Sequence, residues 1–383
     1  MDFALTADQT AIRDMVRGFA AEKIAPFAAQ WEEERAIPRE VLKAAAELGL
    51  AAITVREDHG GSGLSRVESV LIFEELSYAD PVVATFLSIH NACAWMVDTY
   101  GTGEQRQAWL PRLCAMDVIA SFCLTEPDSG SDAAALKTKA VKDGNSHYRL
   151  TGSKAFISGA GYSDIYLVMC RTGEEGPKGI SCILVEKDTA GLSFGANEKK
   201  MGWHAQATAI VNLDQARVPA TQLIGAEGKG FSIAMSALNG GRLSIAAASL
   251  GAAQAALDKA VAYMKERKAF GRSLSHFQAL QFKIADMETE LQAARIFLYQ
   301  AAWKLDQKAP DARKFCAMAK RLVTDTGFRV ANEALQIHGG YGYLKDFGIE
   351  KTVRDLRVHQ ILEGTNEIMR VIVARDMLGG EKE

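Results

Sequence analysis

Two changes of hydrophobic period along the chain set the strongest limit on its fold. From Thr6 to about Met116 apolar residues recur three and four apart. From there to about Leu213 they come in short β-type runs between glycine- and proline-containing turns, and after Gly228 the helical spacing returns. A 3.6-residue period presents one apolar face of a helix, whereas short branched runs suit half-buried strands. The expected class is α+β, with a helical part over 1–117, a small β-domain over 118–226 and a helical bundle over 227–383. At 383 residues the chain is too long for one simple core, which agrees with several domains.

Local signals support each part. Thr6-Ala7-Asp8-Gln9 reads as a capping box ahead of Ile12, Met15, Val16 and Phe19. Pro38 opens a helix that stops at Gly49, and Ser65-Arg66-Val67-Glu68 caps a helix carrying Val70, Leu71, Phe73 and Glu74. Strands are expected over 119–124, 165–169, 180–185 and 208–213, in a mostly antiparallel sheet. Long helices are expected over 229–267, 277–307, 311–337 and 365–378, and short links between them argue a four-helix bundle.

Composition removes several function classes. With 44 basic and 47 acidic residues the net charge is −3, so no global field draws nucleic acid or an anionic membrane. The six cysteines are scattered without a Cys-x-x-Cys pair, favouring reduced thiols over a disulfide framework, a zinc site or any other metal site. The apolar stretch 244–264 is broken by Gln254, Asp258 and Lys259 and reads as a packed helix, with no membrane insertion. The N-terminus shows neither a basic region before an apolar run nor an Arg/Ser-rich leader, so the expected setting is bacterial cytoplasm or, for a processed form, the mitochondrial matrix.

Six segments hold residues suited to chemistry. In 359–370 the carboxylate of Glu363 follows Ile361 and Leu362 and precedes Gly364 at the mouth of a helix. Apolar neighbours raise a carboxylate pKa, as a general base requires, whereas a helix N-terminus lowers it. Taken alone, Glu363 reads more readily as a surface residue before a helix start than as a base. Leu124-Thr125-Glu126-Pro127-Asp128-Ser129-Gly130-Ser131-Asp132, dense in hydroxyls, suits a polar ring edge, a phosphate or simply a turn. Phe156-Ile157-Ser158-Gly159 ends a further short segment. Asn239-Gly240-Gly241-Arg242 places two glycines inside a helix, at about 1 kcal/mol each relative to alanine, as a close approach would require. The basic run at 266–271 suits a helix end or a phosphate. The glycine run at 339–342 allows a close ligand but is not a Gly-x-Gly-x-x-Gly fingerprint after a strand, and His338 beside it reads as structural.

In this order and register the segments resemble the acyl-CoA dehydrogenase family from end to end. Within the family the likeness is strongest to the branched-chain members, over 124–134, 171–182, 238–242, 341–346 and 358–370. The resemblance implies FAD as cofactor and oxidation of a saturated acyl-CoA to the 2,3-enoyl-CoA, with isobutyryl-CoA giving methacrylyl-CoA in valine degradation. Glu363 then matches the catalytic base. Phe122, Leu124, Thr125, Phe156, Ile157 and Ser158 match flavin contacts. Arg267, Phe270, Phe277, Gln278, Gln336, Ile337, Gly339 and Gly340 match contacts to the FAD diphosphate and adenosine, partly across a dimer interface. Thr365, Asn366 and Glu367 match residues flanking the cofactor, and Ser131, Asn239, Gly240, Gly241, Arg242 and Gly364 match residues facing the acyl-CoA. Other family members carry the base just before the helix arginine. Here that position is Gly241, which leaves Glu363 as the candidate.

The resemblance also implies a homotetramer, built as a dimer of dimers, and an electron transfer flavoprotein as acceptor. The alternatives are a 2-methylbutyryl- or straight-chain dehydrogenase, an acyl-CoA oxidase, a nucleic-acid-associated relative with a vestigial flavin site, and a helical binding protein without chemistry.

Overall fold

The computed structural model describes residues 4–379. The first three and last four residues, which the expected leader and tail readings include, lie outside the described residues.

The N-terminal part is six helices: α1 (Ala7–Lys23), α2 (Ala28–Glu34), α3 (Arg39–Glu47), α4 (Arg66–Ala79), α5 (Pro81–Tyr100) and α6 (Gly103–Cys114). Both expected capping boxes form, Thr6 with Gln9 and Ser65 with Glu68, satisfying N–H groups that the first helical turn leaves open. Pro38 is the N-cap of α3, and Gly49 takes φ +75° just beyond its end.

The middle part holds β1 (Ala120–Cys123), β2 (Lys139–Asp143), β3 (His147–Ser158), β4 (Ile165–Arg171), β5 (Ile180–Glu186), β6 (Leu192–Phe194), β7 (Thr208–Pro219) and β8 (Leu223–Ile224). They form one sheet in the order β6-β7-β3-β2-β4-β5-β8, with β1 paired to β4 off that path. Most pairings are antiparallel as expected, but β1 runs parallel to β4 and β2 meets β4 in parallel at Lys139–Arg171. The sequence reading missed β2 and the short β6 and β8 and gave only the end of β3; in β2 and β3 exposed charged residues interrupt the apolar pattern that marks a strand.

The C-terminal part is α7 (Gly230–Glu266), a two-strand hairpin of β9 (Lys268–Ala269) and β10 (Arg272–Ser273), α8 (Gln278–Asp306), α9 (Ala312–His338), α10 (Ile349–Arg357) and α11 (Asn366–Met377). The four expected helices are present, but the link over 339–365 is long and carries α10, so the expectation of short links is corrected there. Alternating charged residues gave α10 a weak apolar signal, although Ile349 and Leu356 are fully buried.

Helix α7 joins the parts. Its alanine run Ala246–Ala248 is fully buried, as a helix packed on all sides requires. Gly251 lets α4 approach so closely that a Cβ there would lie 1.9 Å from the Glu74 carbonyl oxygen. Glu74 in turn receives hydrogen bonds from Arg295 Nε and Tyr299 on α8, both at 2.9 Å. No helix among the described residues is long and apolar enough to cross a membrane.

Candidate active site

Glu363 lies in the connection between α10 and α11, and its φ is +57°. The left-handed region strains an L-residue by about 1–2 kcal/mol, so surrounding contacts must impose it. Two buried cations do so. Arg242 Nε donates to the Glu363 carbonyl at 3.2 Å, and Lys320 Nζ donates to the Gly364 carbonyl at 2.9 Å. Lys320 also donates to Asn366 Oδ1 at 2.9 Å, and Asn366 Nδ2 donates to Asp325 at 2.7 Å. Thr365 closes the turn as N-cap of α11, accepting from the Ile368 N–H at 3.3 Å.

The residue as a whole is half-buried, but its Oε2 is buried and has no hydrogen-bond partner. Burial pushes the Glu363 carboxyl up to about 7, against the opposing fields of Arg242 and Lys320. Burial also draws Lys320 down to about 8. The expected contest between apolar burial and a helix N-terminus is therefore decided for burial, and the named opposing charges are two side chains rather than the helix end. Among the described residues the Glu363 N–H donates to no protein acceptor. A carboxylate poised near neutrality beside an open backbone donor can take a proton from carbon while an adjacent oxygen gains charge.

The helix glycines have a steric cause. A Cβ at Gly241 would stand 2.5 Å from Glu363 Oε2, and one at Gly240 would stand 2.6 Å from the Arg66 guanidinium. Gly241 is therefore the space in which the Glu363 carboxylate sits. Asn239 Oδ1 accepts from Arg242 at 3.0 Å and fixes its guanidinium. His359 is buried and held neutral, its pKa lowered to about 3 first by burial and then by Lys320, with Nδ1 2.6 Å from Ser249 Oγ.

A second group forms on the middle sheet. The Ala155 N–H donates to the Thr125 carbonyl at 2.8 Å, setting the loop after β1 beside the end of β3. Lys154, fully buried, donates to the Leu124 carbonyl at 3.0 Å and to Glu126 at 2.8 Å. Glu126 is thereby an anchor of its loop. A register shift between Lys154 and Ile157 bulges β3, and there Phe156 takes φ +57° and is 68% exposed. Ser158 Oγ accepts from Gln206, and Ile157 turns into the core. Phe122 is half-buried and Leu124 buried, while Ser131 is exposed on the loop.

A third group lines a cleft of about 350 Å³ where α7 and α9 end, between Tyr263, Arg267, Ile337, Gly339, Gly340 and Tyr341. The Arg267 guanidinium lies over the Tyr341 ring at 5.4 Å, and His338 stacks on Tyr263 at 4.4 Å with Nδ1 on the Ala334 carbonyl at 2.7 Å. Phe277 meets Phe270 edge-on at 6.1 Å, and Phe270, at φ +49°, is 94% exposed. Gln278 begins α8, and Gln336 is exposed on the last turn of α9. Arg267 caps the C-terminal end of α7, 26 positions beyond Gly241, or about 39 Å along the helix. The structure thus unites Asn239–Arg242 with Glu363–Asn366 and keeps the cleft group far from them, while Glu367 points to solvent.

The sequence reading missed Lys320 and Arg66. The available signal was a lone lysine in the apolar stripe Cys316, Ala319, Val323 of α9.

Comparison with known proteins agrees with this layout. The chain matches the models of the acyl-CoA dehydrogenase N-terminal domain over residues 6–117, middle domain over 121–216 and C-terminal domain over 228–378. It is 56% identical to a mitochondrial isobutyryl-CoA dehydrogenase of Dictyostelium discoideum, over 97% of this chain and 90% of that one. It is 50% identical to the corresponding Bos taurus protein, over 98% and 90%. The butyryl-CoA dehydrogenase structure from Megasphaera elsdenii superposes with a TM-score of 0.95 at 38% identity, covering 99% of this chain and 100% of that one. Members of the family are FAD flavoproteins that oxidise CH–CH bonds. With matched models across all three parts and such relatives along nearly its whole length, this chain belongs to the acyl-CoA dehydrogenase family.

Proposed function

We propose that the chain is an FAD-dependent dehydrogenase of short branched acyl-CoA thioesters, with isobutyryl-CoA, giving methacrylyl-CoA in valine degradation, as substrate. The observation that carries the chemistry is the buried, unpartnered Glu363 carboxylate with its pKa near 7. The identity to two isobutyryl-CoA dehydrogenases supports the acyl group.

In this reading Glu363 takes the α-proton of the thioester, and its own N–H donates to the thioester oxygen as charge gathers there. Arg242 and Lys320 hold the Glu363 and Gly364 carbonyls so that the carboxylate stays aimed. Ser131, Asn239, Gly240, Gly241 and Gly364 face the acyl-CoA. FAD supplies the acceptor for the β-hydride at flavin N5.

The middle-sheet residues fit such a cofactor. Phe156 offers an exposed aromatic ring at the β3 bulge, while Thr125, Ser158 and Phe122 are half-buried and Leu124 and Ile157 buried on the neighbouring segments. Thr365, Asn366 and Glu367 flank it on the Glu363 side. The cleft residues Arg267, Phe270, Phe277, Gln278, Gln336, Ile337, Gly339 and Gly340 stand too far along α7 to serve the same dinucleotide, and we assign them to the FAD of a neighbouring subunit. That assignment requires a dimer, and likeness to the family extends it to a dimer of dimers. The electron acceptor is an electron transfer flavoprotein, and the setting is the bacterial cytoplasm or a mitochondrial matrix.

The purified protein should be yellow and bind about one FAD per chain, and isobutyryl-CoA should bleach it faster than 2-methylbutyryl-, butyryl- or hexanoyl-CoA. Dye-linked activity without any flavin would defeat the cofactor assignment. A preference for straight chains would remove the branched-chain assignment and leave the Glu363 chemistry. Rapid peroxide formation would make the protein an oxidase.

Flavin reduction should rise with pH. The carboxylate is the proton-accepting form and burial lifts its pKa to about 7, so the rate constant should be half-maximal near that pH and level off above it. Stopped-flow reduction from pH 6 to 9 measures this, and a profile flat down to pH 6 would contradict it.

Arg267→Ala should weaken FAD retention and leave the reduction rate of loaded enzyme nearly unchanged. A charge-assisted hydrogen bond to a diphosphate contributes about 1.5–3 kcal/mol. Full flavin content after extended dialysis would show that Arg267 serves only the helix end and Tyr341.

A further inference from the structure

A narrow cavity adjoins Gly241, against which the Glu363 carboxylate rests, and is walled by α4, α5 and α7. Its walls carry Ser88, Asn91 and Ser244, whose donors go to the backbone carbonyls of Thr85, of Leu50 and Leu87, and of Gly240. Arg66, at the start of α4, stands at the same cavity with its guanidinium close against Gly240, the α7 residue next to Gly241.

The position of Arg66 is fixed from the sequence upward. The Ser65–Glu68 capping box sets the first turn of α4, and Asp306 accepts the backbone N–H of Arg66 at 2.8 Å and of Val67 at 3.3 Å. The side chain then lies over the face of Trp95, 5.3 Å from the ring centre. A guanidinium carries five N–H donors, yet among the described residues the Arg66 side chain donates to no acceptor and forms no ion pair in contact, Asp306 binding its backbone N–H and acting on the charge only through space. It is a cation stacked on one face and bordering a cavity none of whose described lining groups accepts a hydrogen bond from it.

We infer that Arg66, braced on Trp95, closes the far end of the acyl pocket and selects short branched acyl groups. This inference rests on the acyl-CoA reading above. An isobutyryl group ends in two methyls next to the reacting carbon and needs little depth beyond Gly241. A longer straight chain must extend toward Arg66. There it would strip water from an unpaired guanidinium without supplying a hydrogen bond, which disfavours it beyond the steric limit. Gly240 supports the same selection, because any side chain there would drive the guanidinium out of place.

The test is the ratio of kcat/KM for hexanoyl-CoA to that for isobutyryl-CoA, measured by dye-linked reduction in FAD-loaded wild type, Arg66→Met and Arg66→Lys. Loss of a size-and-polarity stop worth one or two methylenes should raise the ratio at least about tenfold in Arg66→Met. Arg66→Lys, which keeps the charge on a slimmer head, should raise it less. A general packing defect lowers both substrates together and leaves the ratio in place. An unmoved ratio in both folded variants, with isobutyryl-CoA still turned over, overturns this inference alone. A wild-type preference for an acyl-CoA ending in a carboxylate, such as glutaryl-CoA, also overturns it, because the guanidinium would then be a ligand and not a stop. Failure of every acyl-CoA to reduce the wild type overturns the functional reading, and this inference with it.

Discussion

Glu363→Gln should retain the fold and the bound FAD and lose flavin reduction by about 10²–10⁴-fold or more, the range for removal of a general base. The amide has nearly the volume of the carboxylate, so the Arg242 and Lys320 hydrogen bonds to the backbone at 363 and 364 persist. It cannot accept the α-proton, and among the described residues no carboxylate lines the cavity beside Gly241. Near-wild-type bleaching of the mutant by isobutyryl-CoA would mean that the base lies elsewhere. The geometry also dictates how the base can be moved. Gly241→Glu alone should fail, because its Cβ would meet the Glu363 carboxylate at 2.5 Å. Combined with Glu363→Gly it should recover part of the activity, since glycine accepts φ +57° freely and vacates the space. Equal inactivity of the double exchange would show that the origin of the carboxylate, and not only its location, matters.

The largest effect on stability is expected at Lys351. Its Nζ donates to Asp80 at 2.6 Å and to Asp355 at 2.7 Å, and both carboxylates are buried. Asp80 caps α5 through the N–H groups of Val82 and Val83, and Asp355 accepts the Trp203 N–H at 2.6 Å. One ammonium thus joins the N-terminal helices, α10 and the link between β6 and β7 of the middle part. Burial works against the charge, but the two carboxylates more than offset it and hold the Lys351 pKa above its ordinary value. Lys351→Met would leave two buried carboxylates facing each other and should destabilise the protein by about 3–5 kcal/mol, as for other broken buried pairs. Denaturant unfolding of the FAD-loaded protein measures this. A loss below about 1 kcal/mol would show that water reaches the site and replaces the lysine.

These two sites differ in how far the chain itself discloses them. Glu363 was readable only through the family resemblance of the whole set of segments, since Ile361, Leu362, Gly364 and Thr365 beside it suit a surface residue before a helix as well. Lys351 was not, because Glu350, Lys351, Arg354 and Asp355 look like the solvated face of a helix until α10 is docked. The same holds for Lys320 and Arg66, each a single cation in otherwise helical text. Strands β2 and β3 escaped for a related reason, since exposed charges at Lys139, Lys142 and Arg149 dilute the apolar alternation.

The amino-acid sequence by itself determined the order of helical, β and helical parts, the capped starts of α1 and α4, the four long C-terminal helices and the segments that carry the chemistry. Those follow from periodicity, caps and glycine placement, all of which act within a few residues of chain. Only the tertiary structure decided that burial lifts the Glu363 carboxyl to about 7, that Gly241 is its socket, and that Arg66 borders the cavity beside Gly241 with no side-chain hydrogen bond among the described residues. Each depends on burial and on groups more than a hundred positions away, as Arg242 is from Glu363 and Arg66 from Gly240. Desolvation and through-space charge are set by which surfaces meet, and no local pattern in the chain encodes that meeting.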